Sequence, residues 1–238
     1  MSSIDQSGTA DGDHVGSVSV WQSDVGSVSG APRLAVGGLV KRAVDIVCAA
    51  TILIVLSPLL LFTAAAIRLS GAGPAFYGHE RVGLGGQTFR CLKFRTMHLD
   101  GDRILRDHLA RCPDANKEWH DTRKLRQDPR VTPLGRVLRE YSVDELPQLV
   151  NVLRGDMSLV GPRPVVAAEL SRYGAAARHY VTARPGITGL WQVSGRSDVG
   201  YAERVAYDVR YVTGWSLLGD VVILLRTLPA VLGAKGSY

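Results

Sequence analysis

Two adjacent carboxylates, Asp144 and Glu145, stand between Arg139 and Arg163 in the stretch RVTPLGRVLREYSVDELPQLVNVLRGDMSLVGPRP at residues 130–164. An ionised carboxylate held beside cations is suited to capture a phosphoryl group, because the cations neutralise the charge that builds up during transfer. Ser142, followed three residues later by Glu145, has the pattern of a capping box and predicts a helix start there. Asp144 would then lie in the first turn, where the helix dipole favours the anion. The same residues fit plain helix capping with surface ion pairs equally well. Lys93 and Arg95 stand two apart in a strand-like segment, so both project from one face. That spacing suits a diphosphate, although a solvated strand face would look the same.

The segments around these residues must position them. Thr132 and Pro133 predict a helix start with Pro at its first position. This helix carries Arg136 and Arg139 and leads into a second predicted helix, Ser142–Leu153. Leu146, Leu149, Val150 and Leu153 recur there at helical spacing and are expected to face the core. Pro147 falls early in this helix and is expected to bend its first turn. Met157–Pro164 reads as a loop in which Pro162 and Pro164 preset the direction of Arg163. Residues 74–97 read as a β-hairpin turning at Gly83–Gly86. The charged stretch that follows predicts a helix over Gly101–Arg111 and a loop at Cys112–Asn116. Residues 184–196, RPGITGLWQVSGR, read as a glycine-rich loop carrying Arg184 and Arg196, with Trp191 available for stacking or packing.

Residues 46–67, IVCAATILIVLSPLLLFTAAAI, contain no charged side chain. At about 1.5 Å per residue this run matches the roughly 30 Å hydrocarbon core of a bilayer. Ser57-Pro58 lies in its middle and predicts a kink. Lys41 and Arg42 precede the run and Arg68 and Arg81 follow it, so charge bias gives no orientation. A bent span and a re-entrant helix that returns to its starting side both fit these flanks, with the Ser hydroxyl able to satisfy a carbonyl freed by Pro. Val199–Tyr211 reads as an amphipathic helix. Residues 215–232 are apolar but interrupted by Asp220 and Arg226, which favours an interfacial helix over a span.

Composition narrows the remaining classes. The chain has 238 residues, a net charge of +6 and three cysteines without a C-x-x-C pair. A disulfide framework and a zinc site are not expected. The six histidines are scattered. Residues 1–37 are rich in Gly, Ser, Asp and Val, repeat VGSVS at Val15–Ser19 and Val25–Ser29, and read as a disordered tail. Base-reading motifs are absent, so no nucleic-acid partner is expected despite the positive charge.

KFRTM at Lys93–Met97, LREYSVDELPQLVNVLRGDMSLVGPRP at Leu138–Pro164 and PGITGLWQVSGR at Pro185–Arg196 occur in that order after the Ser-Pro-bearing apolar run. In this the chain resembles the bacterial sugar transferases, the monotopic polyprenyl-phosphate hexose-1-phosphate transferases. The resemblance runs from about Lys41 to the C-terminus. It implies an α+β, mainly helical fold. A membrane-embedded re-entrant helix-break-helix spans residues 38–72 with its break at Ser57-Pro58. A catalytic domain over residues 73–238 carries the small hairpin and amphipathic interfacial helices. It also implies transfer of sugar-1-phosphate from a UDP-sugar to undecaprenyl phosphate with release of UMP, dependent on Mg2+, at the cytoplasmic face of the inner membrane. Carried over, Asp144 is the nucleophile that forms an aspartyl phosphosugar. Glu145 is its partner in holding metal or managing a proton. Lys93, Arg95, Arg139, Arg163 and Arg196 bind phosphate or substrate. Two positions depart from the usual pattern: His79, where Gln is frequent, and Tyr141, where a small hydroxyl residue is common. They bear on donor choice. Two alternatives follow from the residues alone, a glycosyltransferase releasing UDP and a non-catalytic membrane scaffold. The sugar, the pathway and the oligomeric state are not encoded legibly.

Overall fold

The computed structural model describes residues 35–122, 124–194 and 200–232; the tail read as disordered, up to residue 34, and Arg196 lie outside them. The longest element is helix α1, Gly38–Leu69. A hairpin follows, with β1 (Phe76–Val82) paired antiparallel to β2 (Thr88–Phe94) in the register Tyr77 opposite Lys93. Next come α2 (Gly101–Arg111), α3 (Pro113–Thr122), α4 (Pro133–Glu140) and α5 (Gln148–Arg154). Strands β3 (Ser158–Val160) and β4 (Gly186–Thr188) pair in parallel, and α6 (Tyr201–Thr213) and α7 (Leu217–Leu232) close the described chain. The mainly helical architecture with a small hairpin agrees with the sequence reading. Three predicted loops do not: Cys112–Asn116 runs into α3, Met157–Pro164 contributes β3, and residues 184–196 contribute β4 and a short helix at Leu190–Ser194.

Helix α1 passes through Ser57-Pro58 without interruption, so the expected break in the helix is not found. The reason is local. Pro58 has no N–H to offer the carbonyl four residues back, that of Ile54. The Ser57 hydroxyl donates to that same oxygen at 2.8 Å, which replaces the lost bond and lets the helix continue.

α1 is apolar and long enough to cross a membrane, yet only 11% of its most apolar window is buried. A stripe through Asp45, Ala49, Leu53, Leu60, Thr63 and Ile67 faces the rest of the fold, while Ile54, Val55, Leu61 and Phe62 stand 68–74% exposed. Both ends of α1 are tied to the same folded unit. At the start, Lys41 pairs with Asp220 at 2.6 Å, Asp45 accepts from the Leu159 amide at 3.0 Å, and Arg42 donates to Val152 O and Leu153 O. At the far end, Ile67 packs with Ala75, Phe94 and Leu138, and Arg95 donates to the carbonyl of Ile67 at 3.2 Å. Helix α7 likewise exposes Leu218, Leu225 and Leu228 while burying Asp220 and Ile223. Two helices with bare apolar flanks leave an exposed apolar surface of the kind that suits membrane association.

Candidate active site

The site is built from the end of β2 and the chain between α4 and α5. Thr132 caps α4 as its sequence predicts, with Oγ1 accepting from the Gly135 amide at 2.9 Å and Pro133 in the first turn. Gly135 lets this end press onto β2: a Cβ there would lie 2.1 Å from the Thr96 carbonyl oxygen. The approach brings the Arg139 Nε to 2.9 Å from Thr96 Oγ1. Gly135→Ala must push α4 and β2 apart. We expect it to cost about 1–3 kcal/mol and to lower turnover by moving Arg139; thermal unfolding and initial rates check both.

The capping box does not form. Ser142 adopts a left-handed backbone (φ 54°) and makes no capping hydrogen bond. Val143–Glu145 is a single 3-10 turn, and the true helix α5 starts only after Pro147. Pro147 therefore sits at the helix start, where a missing N–H costs nothing. One short turn has too little dipole to hold an anion, so the helix-dipole argument for Asp144 falls. Of the residues expected to face the core, Leu149 is buried and Leu146 packs against the core, whereas Leu153 is exposed; Gln148, Asn151 and Val152 complete the buried face. A left-handed non-glycine residue stores about 1–3 kcal/mol and persists where surrounding structure enforces it. Here it turns the chain so that the next two acidic residues meet β2.

Lys93 replaces the cap. Its Nζ lies 2.5 Å from Glu145 Oε1 and 3.8 Å from Asp144 Oδ2. Asp144 is 7% exposed. Burial pushes its carboxyl up to about 6, with Glu145 adding to the rise while Lys93 and Arg139 oppose it. Near neutral pH the group is thus a largely ionised carboxylate held in a buried position. Behind it, Asn151, fully buried, receives the Leu92 amide at 2.9 Å and donates to Arg90 O and Asp156. This locks α5 to β2. Arg42 holds the last carbonyls of α5 from α1, so the acidic pair is braced from both sides.

The other expected ligands distribute differently. Arg139 acts electrostatically on Asp144. Arg95 turns away from the pair and donates to the carbonyls of Ile67, Gly71 and Ala72 at the end of α1. Arg163 is exposed and lies over the Trp191 ring, 5.5 Å from its centroid, with Arg204 over the same ring at 4.8 Å. It belongs to a cationic cluster with Arg81 and Lys124, each made less basic by burial and by the charge of Arg163. The ring of guanidinium groups expected around Asp144 is therefore one arginine and one lysine. Sequence reasoning missed Asn151 and Thr96; Arg81 and Lys124 were visible in the sequence only as basic residues, Arg81 flanking the apolar run and Lys124 in the charged stretch, with no sign that Arg163 lies beside them. Asp144 and Glu145 supply two hard oxygen donors, and the described residues contain no cluster of three or more His, Cys, Asp or Glu side chains.

The family model described as bacterial sugar transferase matches residues 36–234. The exopolysaccharide production protein ExoY of Sinorhizobium fredii is 56% identical over 203 residues, covering 85% of this chain and 90% of that protein. The undecaprenyl-phosphate galactose phosphotransferase of Salmonella typhimurium is 51% identical over 83% of this chain and 41% of its own length. The UDP-glucose:undecaprenyl-phosphate glucose-1-phosphate transferase of Caulobacter vibrioides is 46% identical, over 87% and 74% respectively. The match covers every element that builds the acidic pair, from α1 to α7, and on that ground the chain belongs to the bacterial sugar transferase family.

Proposed function

We propose that this protein transfers sugar-1-phosphate from a UDP-sugar to undecaprenyl phosphate at the cytoplasmic face of the inner membrane, initiating exopolysaccharide or glycoconjugate synthesis. The observation that carries the reading is the buried Asp144 carboxylate facing the Lys93 ammonium beside a membrane-associated helix. In the first step an Asp144 oxygen attacks the β-phosphorus of the donor. The new O–P bond forms as the bond to the bridging oxygen breaks, and the electron pair leaves with UMP. In the second step an oxygen of undecaprenyl phosphate attacks the same phosphorus and expels the Asp144 carboxylate. Lys93 and Arg139 offset the charge on the transferring group in both steps.

Two adjacent carboxylates fit Mg2+, which is commonly bound by one or two carboxylates together with substrate phosphates. Asp144 and Glu145 would hold it, with Lys93 giving up its contact to Glu145. Bound there, Mg2+ would screen the diphosphate charge and stabilise the leaving phosphate. Both ends of α1 engage one folded unit, which supports a monotopic arrangement: a helix crossing the bilayer would part those anchors to opposite sides. Re-entry then requires α1 to bend at Pro58 while remaining helical.

A panel of UDP-sugars presented with undecaprenyl phosphate in detergent tests the reading. Release of UMP supports phosphosugar transfer, and release of UDP instead would identify a glycosyltransferase. The Asp144 carboxyl at about 6 sets the acid limb of the rate. Transfer requires the ionised form, so kcat/KM should fall about tenfold per pH unit below that value and level off above it. A rate independent of pH between 5 and 7 would contradict an ionising nucleophile.

A further inference from the structure

One edge of β2 pairs with β1, and on its other edge Asn151 of α5 takes the Leu92 amide and the Arg90 carbonyl. Lys93 therefore projects between two walls. On one side is the acidic turn that leads into α5, which its ammonium touches; on the other is β1. The residue of β1 directly opposite Lys93 is Tyr77. Paired residues of an antiparallel ladder share a face, with Cβ atoms about 4.5–5.5 Å apart. Tyr77 thus stands on the reacting face, and it is 55% exposed. His79 packs beside it on the same face, with ring centroids 6.3 Å apart. Two residues further along that face is Arg81, half-buried, where the cationic cluster with Arg163 begins. The transfer steps leave Tyr77 without a role.

An open aromatic ring across from a phosphate-neutralising lysine suits a planar base joined to that phosphate. Displacement at phosphorus runs in line, so the leaving group departs on the side away from the attacking oxygen. Asp144 attacks from the α5 side of Lys93. UMP therefore leaves toward β1, its α-phosphate first, then its ribose and its uracil. We propose that Tyr77 is the platform on which the uracil of the donor stacks, and that of UMP after transfer, with His79 bracing the ring. The inference rests on the transfer reaction proposed for Asp144. It adds a division of labour to the hairpin: β2 supplies the charge at the reacting phosphate, and β1 recognises the nucleoside.

Two measurements on the full chain in detergent test it. Tyr77→Ala changes an exposed side chain, where folding is little affected. Its Kd for UMP, and its KM for a UDP-sugar that the wild type accepts, should rise roughly tenfold or more. The KM for undecaprenyl phosphate should not move, and Tyr77→Phe, which keeps the ring, should restore the other two values. 5,6-Dihydro-UMP, whose base is no longer a flat π-system, should bind wild type and Tyr77→Ala about equally. An unchanged Kd for UMP in Tyr77→Ala would overturn the assignment, whether the ring then serves the sugar or the membrane surface. Independently of turnover, 5-iodo-UMP should on irradiation label the peptide containing Tyr77, and excess UMP should suppress that label. Labelling confined to the peptide containing Trp191 would also overturn it. If no UDP-sugar produces UMP in the wild type, the transfer reading fails while the labelling and the Kd still decide the platform.

Discussion

Asp144→Asn should abolish transfer, by roughly 10⁴-fold or more as expected for loss of a covalent nucleophile, and should at the same time make the folded protein more stable above pH 6. The two effects have one cause. The carboxyl stands at about 6 in the fold against 3.8 in its ordinary state, chiefly through burial. The fold therefore disfavours the ionised form. That penalty is fully present above pH 6, shrinks as pH falls through 6, and is gone below about 4. Asparagine carries no charge to bury, so the variant should gain about 1–3 kcal/mol at pH 7.5. The gain should fade toward pH 4. Thermal unfolding of both proteins across this range, beside a UMP assay, checks the prediction. A variant that loses activity and stability together at pH 7.5 would point to a structural role for Asp144.

The second large effect is expected at Asp220. Its carboxylate accepts from Lys41 Nζ at 2.6 Å, Tyr211 Oη at 2.8 Å and Trp215 Nε1 at 3.0 Å, and it is 5% exposed. Asp220→Ala leaves the Lys41 ammonium buried without its counter-charge, which should cost about 3–5 kcal/mol. It should also detach the start of α1 from α7. Removing both charges in Lys41→Met/Asp220→Leu should recover much of that loss, because a buried pair replaced by apolar groups is often close to neutral. Yields of folded protein in detergent and unfolding midpoints of the three variants measure this. Equal destabilisation in the single and double variants would show that the hydrogen bonds from Tyr211 and Trp215, and not the ion pair, hold the helices together.

These two sites also show what the sequence could and could not reveal. Elements governed by neighbours in the chain were legible. The Thr132–Pro133 helix start, the hairpin turning after Val82 and the apolar helix at residue 38 onward form as their local residue types dictate. The Ser57 hydroxyl does what its position before Pro58 suggests, and its success is why the helix continues where a break was expected. Elements governed by distant partners were not legible. Ser142 and Glu145 have capping spacing, but Lys93, 52 residues away, takes the glutamate. Asp220 was visible as a charge within an apolar run, whereas its partner Lys41 stands 179 positions earlier. Strands β3 and β4 have three residues each and pair across an intervening helical segment, too little pattern for periodicity to detect. Within the site, the acidic pair and Lys93 stood out by their chemistry, and the fold brings the three side chains together. The separate duties of Arg95 and Arg163 depend on which backbone carbonyls and rings lie beside them, and spacing carries no trace of that.

The central claim is that Asp144 becomes bonded to phosphorus during turnover. The most direct measurement is intact-protein and peptide mass spectrometry after acid quench of the enzyme with Mg2+ and a UDP-sugar it accepts, without undecaprenyl phosphate. The account predicts a mass increase of one sugar phosphate on the peptide containing Asp144, formed together with UMP, lost on addition of undecaprenyl phosphate and absent in Asp144→Asn. UMP formed only when acceptor is present, with no adduct trapped at any time, would contradict it.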